Sequence, residues 1–206
     1  EITKLFLVSD NDAYNRLFEY LGKDEINRRL NAKGIIGRIS HRVSTPNSDR
    51  LDYRALRFDT EQGEIVSQTP PSRKIVVQDL AGLNKGVAYQ AEGVLINEPF
   101  DFSEKNYLPI RSLHGIMQRL VFPELFLESQ RFKLTDADRE FVLETMKTLP
   151  YKAGYDRDEY YDSYVKFLVF GDSREALPEH IEIYNKVGFA YGTLTDCAYI
   201  RNTETN

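Results

Sequence analysis

The sequence predicts an α/β fold of the α+β kind, in which helices and an antiparallel sheet occupy separate stretches of the chain. Helical periodicity covers residues 1–34 and returns over 108–150, whereas residues 182–200 alternate like two strands. Residues 35–107 lose the helical period and contain short runs typical of β-strands. We therefore expect a helical subdomain, a β-rich insertion or extended loop, and part of an antiparallel sheet.

Three short helices are predicted in residues 1–34. An apolar face repeats through the first, which ends at the polar Ser9-Asp10-Asn11. The second ends at Gly22, and the third runs from an Asp24 cap to Gly34. Their tight connections favour a packed helical subdomain.

The middle of the chain favours β-hairpins over an extended loop. The β-prone runs are 53–58, 64–66 and 74–77, and turn residues separate them. Helices return after Pro109, which fits a first helical turn, and Thr135–Asp138 resembles a capping box. Two strand-like runs, 182–189 and 193–200, then join near Gly192.

Composition excludes several classes of protein. The chain has 206 residues, 41% hydrophobic and 29% charged, which is typical of a globular protein. Its formal net charge of -5 disfavours a nucleic-acid partner. The single cysteine excludes an intrachain disulfide, and no apolar run approaches the roughly 18 residues of a membrane span.

Two extended patterns carry the functional argument. The first is Ser9-Asp10-Asn11, between two predicted helices, which continues as Ser-Asp-Asn-x-Ala-x-Asn. The second is Lys186-Val187-Gly188 on a predicted strand, which continues as Lys-x-Gly-x-x-x-Gly-Thr-x-x-Asp-x-Ala. Together they resemble the serine β-lactamase and penicillin-binding-protein superfamily, closest to its class A type, which carries Ser-x-x-Lys, Ser-Asp-Asn and Lys-Thr-Gly in that order. The resemblance covers both ends of the chain and residues 109–149 well, and residues 35–107 poorly.

This resemblance implies catalytic roles for three residues. Ser9 would relay a proton between the nucleophile and the leaving nitrogen, and Lys186 would place a positive charge beside it. Asn11 would hold the catalytic lysine and the substrate carbonyl, since an amide both donates and accepts. The alternative is structural: Asn11 or Asp12 caps the second helix and Lys186 is a solvated strand lysine. The joint pattern favours the active-site interpretation.

The resemblance also implies a substrate strand. The substrate would lie along Val187, Gly188 and Phe189. The backbone N–H of Phe189 would donate to the oxyanion, and Gly188, which has no Cβ, would leave room for an extended substrate. Asp10 and Asp196 would brace loops at the site.

The nucleophile motif does not precede Ser9. The one Ser-x-x-Lys in the chain, Ser163 to Lys166, follows the Ser-Asp-Asn motif and is interpreted as a surface turn or helix face. We therefore expect this chain to be an internal segment of a longer protein, with its nucleophile upstream, and unable to acylate alone.

Two departures from the family pattern bear on the substrate, and a third bears on turnover of the acyl-enzyme. Val187 replaces a hydroxyl residue and Leu194 replaces an arginine, the two side chains that normally hold a substrate carboxylate. The stretch Arg38–Val43 lacks the deacylating glutamate of class A enzymes. His41 could serve there as a base, but a structural histidine is the commoner case.

The expected function is that of a serine hydrolase, working through an acyl-enzyme on an amide or ester of a cell-envelope substrate. Its partner would be a small molecule or peptide, peptidoglycan-like or β-lactam-like, with no nucleic acid and no membrane span in this chain. The resemblance implies no metal or organic cofactor and a periplasmic or envelope location. The alternatives are a true β-lactamase and a catalytically inactive binding module of the same fold.

Overall fold

The computed structural model describes residues 1–73 and 80–205. The chain divides into two compact units, one formed by Glu1–Asp10 with Leu113–Asn206 and the other by Asn11–Ser112. Helices and small antiparallel sheets occur together, so the α+β class is confirmed. In the part of the chain that the structure describes, no helix is long and apolar enough to cross a membrane.

The chain begins in the first unit with α1 (Ile2–Leu7). It then enters the second unit, which starts with α2 (Asn11–Leu21) and α3 (Lys23–Ala32), and it returns to the first unit at Leu113. Gly22 ends α2 as expected: its φ of 75° suits glycine, and its N–H donates to the carbonyl of Phe18. The expected Asp24 cap is wrong. Because the turn at Gly22 is so tight, α3 begins at Lys23, and Asp24 lies inside its first turn.

The β-rich stretch of the second unit consists of short antiparallel pairs, which confirms hairpins there. In chain order its strands are β1 (Leu56–Thr60), β2 (Gly63–Ser67), β3 (Asn84–Lys85), β4 (Tyr89–Ala91), β5 (Val94–Ile96) and β6 (Phe100–Asp101). β1 pairs with β2, β4 with β5, and β3 with β6. The β-prone run 74–77 lies outside the described residues.

The unit that contains α1 is completed by two α-helices and one hairpin, with three short 3-10 helices (Pro123–Leu125, Glu128–Gln130 and Pro150–Ala153) between them. The α-helices and strands are α4 (Ile110–Val121), which belongs to this unit from Leu113 onward, α5 (Asp136–Lys147), β7 (Ile181–Ala190) and β8 (Thr193–Asn202). α5 packs against both α1 and β7. The capping box of α5 is confirmed, since the N–H of Asp138 donates to Thr135 Oγ1 at 3.1 Å and the N–H of Thr135 donates to the Asp138 carboxylate at 3.2 Å.

The β7–β8 hairpin turns where the sequence predicted, at Tyr191 and Gly192. Both residues have positive φ, 51° and 71°, as in a two-residue type I′ turn. Such a turn closes on a hydrogen-bonded pair, here Ala190 with Thr193. Counted back from Ala190, every second residue of β7 therefore directs its backbone N–H and C=O groups at β8. The backbone N–H and C=O groups of the residues between them, which include Val187 and Phe189, point away from β8.

Candidate functional site

The structure brings Ser9 and Lys186 into contact although 177 positions separate them in the chain. The ammonium of Lys186 donates to Ser9 Oγ at 2.7 Å and to the carbonyl of Val187, also at 2.7 Å. Lys186 lies in the middle of β7, and Ser9 follows the last turn of α1. The two residues that the motifs singled out separately therefore form one hydrogen-bonded pair within one compact unit.

The backbone at Ser9 is in the left-handed region, with φ of 53°. This conformation costs a residue other than glycine about 1–2 kcal/mol. The end of α1 supports it: the N–H groups of Val8 and Asp10 both donate to the carbonyl of Lys4, at 3.2 and 3.3 Å. A strained backbone that the surrounding structure holds in place is a frequent feature of functional sites.

Burial lowers the pKa of Lys186 to about 8, and the nearby carboxylate of Asp196 opposes that shift. Most of the ammonium remains protonated at neutral pH, but it gives up its proton more easily than an exposed lysine does. A cation beside Ser9 Oγ stabilises negative charge that develops on that oxygen.

A second lysine lies buried in the same compact unit. Lys166 is 1% exposed, and its ammonium donates to the carbonyls of Met146 and Ile183, at 3.0 and 3.1 Å, and to Asn185 Oδ1 at 2.6 Å. Burial lowers the pKa of Lys166 to about 8, again opposed by Asp196. All three N–H bonds of the ammonium therefore have acceptors.

The surface interpretation of the Ser163 to Lys166 motif is wrong. Ser163 is buried within a turn, and its hydroxyl donates to the carbonyl of Ser173. The ammonium of Lys166 is directed to its three acceptors on other elements. The side chains of Ser163 and Lys166 therefore have different hydrogen-bond partners. The acceptors of Lys166 lie on α5 and β7, far from Lys166 in sequence.

Asp196 has the geometry of a structural brace. Its carboxylate accepts the backbone N–H groups of Phe167 and Leu168, at 2.9 and 3.3 Å, and the side-chain amide of Asn185 at 2.8 Å. It therefore ties β8 to the segment after Lys166 and to β7. Asp10 lies directly after Ser9, where its N–H helps to close the end of α1.

The strand beside Lys186 presents open space at Gly188. Apart from Gly188 itself and its two chain neighbours, no atom of the described chain lies within 4 Å of where a Cβ would stand, and the φ of Gly188 is not in the left-handed region. Val187 is buried, whereas Phe189 is 75% exposed. Neither the backbone nor packing within the described chain requires a glycine at 188, so the space above it is available to another molecule.

Asn11 belongs to the other compact unit, where it is the first residue of α2. Its amide donates to Ser44 Oγ at 2.9 Å. The hydrogen bond to Ser44 occupies one of its donors, and its role beside a catalytic lysine stays a prediction.

His41 has both ring nitrogens engaged by backbone groups, which favours its structural interpretation. Nδ1 donates to the carbonyl of Arg42, and Nε2 accepts the N–H of Asn106 at 3.3 Å. Burial lowers the pKa of His41, in keeping with a neutral ring. Among the described residues, no group of three or more His, Cys, Asp or Glu side chains is arranged to hold a metal ion.

Sequence reasoning missed Lys166 and Asn185 as parts of one site. The available signals were an asparagine at an inward position of β7, between Ile183 and Val187, and a lysine inside the apolar run 164–170. A buried polar side chain needs partners, so each position pointed to an internal hydrogen bond. No family model, curated protein sequence or solved structure matches this chain.

Proposed function

We propose that this chain carries the proton-relay half of a serine hydrolase that works through an acyl-enzyme. The observation that carries the proposal is the 2.7 Å hydrogen bond from Lys186 to Ser9, two motif residues 177 positions apart. The substrate would be an amide or ester of the cell envelope, peptide-like or peptidoglycan-like. The proposal includes a periplasmic or envelope location and needs neither a metal nor an organic cofactor.

The direction of this hydrogen bond suits a relay. Because Lys186 donates to Ser9 Oγ, the hydroxyl hydrogen of Ser9 is left to point at another partner, the nucleophile or the leaving nitrogen. As Ser9 passes its proton to the leaving nitrogen and takes one from the nucleophile, charge on Oγ is stabilised by the ammonium. The left-handed backbone of Ser9 keeps Oγ in this position.

The edge of β7 suits an extended substrate. The N–H of Phe189 points away from β8, so it is directed at the edge where an oxyanion would be bound, and Gly188 leaves that edge open. Among the described residues β7 pairs with β8 alone. In this proposal the Ser-x-x-Lys motif lies upstream of Glu1 in the parent protein.

The departures from the family pattern favour a peptidase or esterase over a dedicated β-lactamase. Val187 is buried and offers no hydroxyl, and Leu194 is 57% exposed and offers no guanidinium to a substrate carboxylate. A true β-lactamase and an inactive binding module of the same fold are the competing functions.

The test is covalent labelling of the longer protein that includes the residues before Glu1. A fluorescent fluorophosphonate and a fluorescent penicillin are each incubated with the wild type and with Ser9→Ala, and the labelled serine is identified by peptide mass spectrometry. We expect both probes to label a serine upstream of Ser9. Labelling by the penicillin, whose leaving nitrogen takes the relayed proton, should be slowed by about 100-fold or more in Ser9→Ala, as for loss of a general acid–base group. Thr195→Ala, on β8 opposite Gly188, serves as the matched control for a lost hydroxyl.

Three outcomes would contradict the proposal. Labelling of Ser163 would place the nucleophile in this chain, and the absence of labelling with either probe would favour a binding module. Rapid turnover of nitrocefin would favour a β-lactamase over a peptidase or esterase.

A further inference from the structure

We infer that Lys166 is a positioning residue for Lys186: its buried ammonium joins α5 to β7 and so fixes the strand from which Lys186 reaches Ser9. The catalytic meaning of this inference rests on the proposed function. Its structural part, a buried lysine that sets the environment of a second lysine, can be measured without any enzymatic activity.

The hydrogen bonds of Lys166 connect two elements. Met146 lies near the end of α5, whereas Ile183 and Asn185 lie on β7, and the three acceptors are 2.6–3.1 Å from Nζ. An ammonium has three N–H bonds in a fixed arrangement, so three buried acceptors define its position closely. The acceptors from β7 lie one and three residues before Lys186.

A second set of hydrogen bonds joins Lys166, Asn185 and Asp196 into one group, which we call the Asn185 cluster. The amide of Asn185 accepts from Lys166 and donates to the carbonyl of Val165 and to the carboxylate of Asp196, both at 2.8 Å. Asp196 in turn accepts the N–H groups of residues 167 and 168. The residues on both sides of Lys166 are thus bound to the same asparagine and aspartate, and Asn185 directly precedes Lys186.

The energetics of burial explain why a lysine at this position points to a function. Taking an ammonium out of water is costly, and replacing buried ion pairs with apolar residues of similar volume is often neutral or stabilising. A site that must hold Lys186 against both Ser9 Oγ and the Val187 carbonyl needs accurate placement, since displacements of about 1 Å lower catalytic rates strongly. Directional hydrogen bonds supply that accuracy.

Lys147 provides a matched control. It directly follows Met146 and also joins α5 to β7, through one hydrogen bond of 2.9 Å to Glu182, and it forms an ion pair of 3.0 Å with Glu144 on its own helix. It is partly exposed, and its partner on β7 lies four positions from Lys186. Removing Lys147 therefore loses a lysine and a link between the same elements while leaving the Asn185 cluster intact.

The experiment is a pH titration of the 206-residue chain followed by NMR of lysines labelled with 13C at Cε. Lys186→Arg assigns the Lys186 resonance. We expect Lys186 to titrate near pH 8 in the wild type and in Lys147→Met. In Lys166→Met the pKa of Lys186 should rise toward the ordinary 10.5, because a loosened β7 admits water around the Lys186 ammonium. The carboxylate of Asp196, which raises the pKa of both lysines in the wild type, then acts on Lys186 alone.

An unchanged Lys186 pKa in folded Lys166→Met would overturn the inference, as would an equal rise in Lys147→Met. Asn185→Ala keeps both backbone acceptors of Lys166 and tests the same link if Lys166→Met does not fold; we expect the same direction of change. Because the titration does not depend on turnover, a shifted pKa together with an unreactive parent protein would contradict only the proposed hydrolase.

Discussion

The left-handed backbone of Ser9 predicts that glycine at this position is more stable than alanine. Both Ser9→Ala and Ser9→Gly remove the hydroxyl that accepts from Lys186, and a hydrogen bond to a charged group contributes about 1.5–3 kcal/mol. Only the glycine variant relieves the strain at φ of 53°. The difference between the two variants therefore isolates the backbone conformation from the lost hydrogen bond.

Its magnitude follows from two opposing effects. Removing the Cβ from a left-handed residue recovers about 1–2 kcal/mol. Glycine also raises the conformational entropy of the unfolded chain, which costs about 0.4–1 kcal/mol relative to alanine. We expect the free energy of unfolding of Ser9→Gly to exceed that of Ser9→Ala by about 1 kcal/mol, although both variants are less stable than the wild type.

The assay is urea unfolding at pH 7, followed by circular dichroism. Ser44, with φ of 49°, should show the same order of glycine over alanine. Ser163, whose φ is not positive, should show the reverse order. If Ser9→Gly were no more stable than Ser9→Ala while Ser44 behaved as expected, the strained placement of Ser9 would be refuted.

Two further predictions concern the same unit. Lys166 and Lys186 have pKa values near 8 in the folded chain against 10.5 for an ordinary lysine, so the unfolded chain binds more protons between these values. The free energy of unfolding should then rise from about pH 8 to pH 10, by up to about 1.4 kcal/mol per pH unit for each lysine, and urea unfolding of Lys186→Met should show roughly half that slope. Gly188→Ala should keep or raise the free energy of unfolding, by up to about 1 kcal/mol, because a Cβ meets no atom there, yet it should slow acylation of the parent protein by the fluorescent penicillin. Loss of stability in Gly188→Ala, or an unchanged acylation rate, would contradict the substrate strand.

Local patterns were sufficient for the elements that carry the site. The alternation over 182–200 and the turn at Gly192 predicted the β7–β8 hairpin, and Gly22 and Thr135 predicted a helix end and a helix start. Each of these signals depends on residues that are neighbours in the chain. The pairing of Ser9 with Lys186 was expected only from the family resemblance, since no local pattern specifies a contact over 177 residues.

Long-range contacts explain what the sequence did not predict. The sequence indicates a surface turn or helix face for Lys166, and lysines are rarely buried, but the carbonyls of Met146 and Ile183 and the amide of Asn185 provide buried acceptors for it. Those acceptors converge only when α5 and β7 pack together. Asp24 is a good capping residue by type, and the tight turn at Gly22 moved the start of α3 ahead of it.

A double-mutant cycle on the acylation rate of the parent protein tests the central claim, that Ser9 and Lys186 act as one relay. The second-order rate constant with the fluorescent penicillin, whose β-lactam nitrogen is the leaving group that takes the relayed proton, is measured for the wild type, Ser9→Ala, Lys186→Met and the double variant. If the pair works as a unit, the double variant should react about as slowly as the slower single variant. Independent effects that multiply in the double variant, or single variants that react at the wild-type rate, would contradict the claim.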